Sequence, residues 1–71
     1  MKYQLFIGED CHQCQEVIDE IKEQEIEVDI INIDQSQERP PINVFAYPVL
    51  FQGQVLLRYG SDIITYLKAN R

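Results

Sequence analysis

The sequence predicts an α/β domain: a four-stranded mixed sheet with flanking helices, in the order β-α-β-(short α or loop)-β-β-α, with residues 1–71 forming one unit. Three observations carry that prediction. An apolar run, Tyr3 to Ile7, is followed by a stretch whose apolar residues fall three and four apart. A β-branched run, Val28 to Ile33, comes next, and strand–helix–strand in that order implies a parallel pair with a right-handed crossover. Finally, Val49-Leu50-Phe51 and Val55-Leu56-Leu57 flank Gln52-Gly53-Gln54, which reads as two antiparallel strands joined by a tight turn.

Each element has its own justification. Tyr3, Leu5 and Ile7 alternate with Gln4 and Phe6, as in a strand covered on both faces, and Gly8 breaks it. In the first helix Cys14, Val17, Ile18 and Ile21 share a buried stripe, while Glu16, Asp19, Glu20 and Glu23 take the solvated side. The second strand is expected beside the first. Gln35 to Tyr47 is irregular: Pro40-Pro41 forbids a helix interior, although Pro41 suits the opening of a helical turn through Phe45, with a loop as the alternative. Gly60-Ser61-Asp62 punctuates the chain, with Ser61 a natural N-cap and Asp62 a favourable first-turn anion. Ile63, Ile64, Tyr66 and Leu67 mark the buried side of a last helix.

The totals narrow the function classes. A chain of 71 residues is one domain, and at that size folding buries only roughly 60% of the surface the unfolded chain exposes. Six basic against twelve acidic residues give a net charge of −6, which repels nucleic acid and anionic membrane surfaces. The N-terminal apolar stretch is too short for a secretion signal and no run approaches membrane-spanning length, so the expected setting is the cytoplasm and the expected state a monomer. There a lone cysteine pair is more often catalytic or metal-binding than a structural staple.

That pair is Cys11-His12-Gln13-Cys14, at the junction between the first strand and the first helix. Two thiols at this spacing close a small ring with little backbone movement, and the helix N-terminus aims N–H groups and a positive dipole end at the first sulfur. Helical phase buries Cys14 and leaves Cys11 exposed, so Cys11 is the expected nucleophile and Cys14 the resolving thiol. His12 either spaces the pair or helps hold the thiolate when protonated, and Glu9 and Asp10 oppose it. The other chemistry open to two thiols is metal binding. Zinc wants four ligands, so a closed site here needs Glu9, Asp10 or a second subunit, and no metal ligand is assigned.

The element order, the Cys-X-X-Cys on the first strand-to-helix turn, Tyr47-Pro48 ahead of the third strand and Tyr59-Gly60-Ser61-Asp62 ahead of the last helix resemble the thioredoxin fold and most closely the glutaredoxin family. The resemblance covers essentially the whole chain. It implies a thiol–disulfide oxidoreductase or electron carrier that acts on a disulfide-containing protein or a small-molecule disulfide. It also implies a cis-Pro48, with Tyr47 pairing main chain to main chain with glutathione, and a turn at Gly60, Ser61 and Asp62 whose helix N-terminus receives a glutathione carboxylate. No bound cofactor is implied; glutathione or a flavoprotein reductase would supply electrons. The family's form of metal binding is an iron–sulfur cluster between two copies, using Cys11 of each and glutathione.

Several positions depart from the family pattern. His12-Gln13 stand where proline and tyrosine are usual, Ala46-Tyr47-Pro48 where threonine, valine and proline are usual, Tyr59-Gly60 where two glycines are usual, and Ile63 where a second aspartate is common. The segment between strands two and three is short for the family's middle helix. Glu9 and Asp10 beside the nucleophile suit a neutral or basic protein disulfide better than anionic glutathione, for which Arg39 and Arg58 are the basic residues in prospect.

Overall fold

A computed structural model describes residues 3–42, 44 and 46–69. Its elements are β1 (Tyr3–Ile7), α1 (His12–Gln24), β2 (Val28–Asn32), β3 (Val49–Gln52), β4 (Val55–Tyr59) and α2 (Asp62–Ala69). They form one mixed sheet in the order β2-β1-β3-β4. β1 runs parallel to β2, with Leu5 opposite Ile30, and antiparallel to β3, with Leu5 opposite Leu50. β4 closes the other side as an antiparallel hairpin with β3, its turn passing through Gly53 at φ 64. A left-handed residue is what a two-residue hairpin turn demands, and glycine takes that conformation freely.

Both helices pack on one face. Leu5 and Leu50 from the sheet meet Val17 and Ile21 of α1 and Ile63 and Leu67 of α2 in a single buried cluster. Alternation along the strands sends Phe6, Val49 and Phe51 to the opposite face, where the rings of Phe6 and Phe51 meet edge to face with centroids 5.6 Å apart. Onto that second face pack Ile33, Val44 and Tyr47 from the segment between β2 and β3. β1 is therefore buried on both sides, as its sequence requires: Leu5 and Phe6 are adjacent and both inaccessible.

The structure corrects several expected boundaries. β2 ends at Asn32, although the Ile33 N–H still donates to the Ile7 carbonyl at 2.9 Å, one step beyond the ladder. β4 continues to Tyr59, two residues past the expected Leu57, because its pairing with β3 runs as far as Val49 opposite Tyr59. A register shift between Leu50 and Phe51 places an extra residue in β4, a bulge that no composition signal announces.

Between β2 and β3, the described residues form turns and bends and no helix. The helical turn suggested for Pro41 to Phe45 falls partly outside the described residues, at Asn43 and Phe45. One guanidinium nitrogen of Arg39 donates to the carbonyls of Ile33, Ser36 and Glu38, which ties the start of this segment into a compact loop. Among the described residues no helix is long and apolar enough to cross a membrane.

Candidate functional site

Strand directions bring distant segments to one edge of the sheet. β1 ends at Ile7, next to Val49 at the start of β3, and Val49 in turn lies opposite Tyr59 at the end of β4. The Cys-X-X-Cys turn, the Tyr47-Pro48 step and the Gly60 turn therefore converge.

Cys11 is the N-cap of α1 and forms a disulfide with Cys14, their Cα atoms 5.2 Å apart. The Cys11 sulfur accepts the Cys14 N–H at 3.1 Å, standing where a serine or aspartate oxygen usually caps a helix. Cys14 is 2% exposed against Val17 and Ile21, whereas Cys11 is half-buried, in agreement with the helical phase. Cys11 Sγ also lies 3.9 Å from the carbonyl oxygen of Tyr47. In the disulfide that sulfur carries no proton, so the approach is a contact; the reduced thiol has a proton to donate there.

The Tyr47-Pro48 bond is cis. Its backbone faces the sulfurs, while the Tyr47 ring packs into the second apolar cluster. The Gly60 N–H donates to the Pro48 carbonyl at 2.8 Å, and a side chain at Gly60 would meet Gln13 at 3.7 Å, so this turn closes against the Cys-X-X-Cys segment. No protein-family model, curated protein or solved structure matches this chain.

The remaining expected site residues stand farther off or play smaller parts. The His12 side chain is 93% exposed, with Nε2 4.0 Å from a Glu16 oxygen. Ser61 is exposed and its hydroxyl makes no hydrogen bond among the described residues, which corrects its expected role as a capping side chain; the carbonyls of Gly60 and Ser61 accept the Ile63 and Ile64 N–H groups. Asp62 lines a separate small cleft with Arg58 and Tyr66. Arg58 lies over the Tyr66 ring at 5.1 Å, and Arg39 is spent on its own loop, so neither lines the groove at the disulfide.

Sequence reasoning missed the residues that build that groove. An open cavity of about 620 Å³ runs from the Gly8–Cys11 turn to Asn32 and Gln35. Asp34 accepts the Glu9 N–H at 2.8 Å, Asn32 accepts the Asp34 N–H at 2.9 Å, and Gln35 donates to the Glu9 carboxylate at 3.0 Å. The signal present in the sequence was Asn32-Ile33-Asp34 after a β-branched run, the pattern of a side-chain-capped turn.

Among the described residues, no group of three or more His, Cys, Asp or Glu side chains is placed to hold one metal ion.

Proposed function

We propose that this chain is a small glutaredoxin-like protein of the thioredoxin fold, a dithiol–disulfide oxidoreductase or electron carrier of the cytoplasm. One observation carries the reading: two cysteines at the head of a helix in unequal settings, the outer one receiving an N–H and the inner one buried. In the reduced protein the helix N-terminus and the Cys14 N–H stabilise a Cys11 thiolate. That thiolate attacks one sulfur of a substrate disulfide. The substrate S–S bond breaks, a Cys11–substrate mixed disulfide forms, and the departing thiolate takes a proton from water.

Cys14 then gives its proton to solvent and attacks Cys11 Sγ, releasing the second substrate thiolate and closing the Cys11–Cys14 disulfide. Two electrons have passed to the substrate. Two electrons, from two equivalents of a thiol such as glutathione, which leave as its disulfide, or from a flavoprotein reductase, restore the dithiol. Tyr47 and Pro48 hold substrate main chain beside the sulfurs in this reading, with Gly60 fixing their position through its hydrogen bond.

Site variants test the assignment. Cys11→Ser is expected to abolish disulfide reduction. Cys14→Ser is expected to stop at the mixed disulfide, read as a substrate-sized mass adduct. Neutral-pH alkylation of the reduced protein should label Cys11 faster than Cys14. Faster labelling of Cys14 would reverse the roles. Stoichiometric iron or zinc in freshly purified protein, with both thiols ligated, would replace the redox reading with a metal-binding one.

A further inference from the structure

We infer that the groove beside Cys11 selects disulfides flanked by cationic residues, a basic segment of a protein partner, and that Glu9 and Asp10 are the selecting charges. This rests on the redox reading above and names its substrate class. Both carboxylates line the groove that Cys11 lines, one and two residues ahead of the nucleophile.

Glu9 is fixed there rather than free to swing away. Its N–H is bound by Asp34, and one carboxylate oxygen by the Gln35 amide, which leaves the second oxygen for an incoming donor. Asp10 holds the left-handed turn, φ 52, that leads into Cys11.

Among the described residues no lysine or arginine answers them. None lines the groove: Lys22 is in the last turn of α1, Arg39 binds carbonyls of its own loop, Arg58 lies over Tyr66, and Lys68 is in the last turn of α2. His12, the one basic side chain at the rim, stands beside Glu16. A cationic flank would therefore be drawn toward the sulfur and an anionic one repelled. At about 620 Å³ the groove is in the range of ordinary ligand sites.

The experiment is a single-turnover reaction of the pre-reduced full chain with peptide disulfides of one sequence, flanked by Lys, Gln or Glu. The protein's own two thiols supply both electrons, so no outside reductant enters. Rates are expected in the order Lys, Gln, Glu. The spread should be about tenfold at about 0.01 M salt and close to vanishing near 1 M, where the screening length is about 3 Å. Glu9→Gln with Asp10→Asn should reduce the spread to about twofold at low salt.

Glu23→Gln with Asp29→Asn removes the same charge from exposed positions outside the groove and should preserve the spread. Equal rates for the three peptides, or loss of the spread in this second variant as complete as in the first, would overturn the selection while leaving the redox reading standing. Failure of every peptide to react with a fully reduced protein would instead remove the redox reading, and the selection with it.

Discussion

At the scale of single residues, two positions hold the site in conformations that most side chains resist, Gly60 at φ 64 and Asp10 at φ 52. A methyl group at Gly60 would meet Gln13 only at ordinary contact distance, 3.7 Å, so the cost of Gly60→Ala comes from the backbone and not from a clash. It should be about 1 kcal/mol, read as a lower denaturant midpoint with an unchanged slope. A loss several times larger would mean that the Gly60–Pro48 hydrogen bond had been broken as well. Asp10→Asn should fall within about 0.5 kcal/mol of the parent, because asparagine enters the left-handed region at least as readily as aspartate. The amide exchange at position 10 therefore changes charge without changing backbone. Gly60 was legible in the sequence because a glycine beside Ser-Asp announces a turn. Asp10 was not, since nothing in an Asp-Cys step specifies the sign of φ.

At the scale of elements, α1 shows both what periodicity reads and where it stops. The spacing of Cys14, Val17, Ile18 and Ile21 gave its buried stripe and the unequal exposure of the two sulfurs, because helical phase is a local property. Its end is local too. Glu25 sits at φ 55, its N–H directed at the Ile21 and Lys22 carbonyls, and the Ile26 N–H donates to Ile21 O at 3.1 Å. This is the six-to-one closure that normally recruits glycine. Glu25→Gly should stabilise the protein by up to about 1 kcal/mol, seen as a rise in melting temperature, whereas Glu25→Val should lower it. Features set by distant partners were beyond the sequence. The bulge in β4 and the extra length of that strand each depend on which chain lies alongside.

At the scale of the whole molecule, the two faces of the sheet are protected unequally, and this should set the order in which the protein opens. One face carries two helices over a cluster that includes Leu5, Val17, Leu50 and Ile63; the other carries an irregular segment over Phe6, Val49 and Phe51. The two edge strands differ as well. β4 is braced by α2 through Arg58 over Tyr66, while β2 is paired only to β1 and leaves Asp29 and Ile30 exposed. For 71 residues the total stability is expected at about 4–10 kcal/mol. Native-state hydrogen exchange should find amides of β1 and β3 opening only with global unfolding, while those of β2 and of chain 33–42 open at free energies lower by about 1–3 kcal/mol. The groove wall formed by Asn32 and Gln35 belongs to that weaker region, so its opening should loosen Glu9 and leave the Cys11–Tyr47–Gly60 junction in place. Equal protection of β2 and β3 would show that Ile33, Val44 and Tyr47 cover their face as firmly as the helices cover theirs. Earlier opening at the N-terminus of α1 would place the soft region at the sulfurs instead.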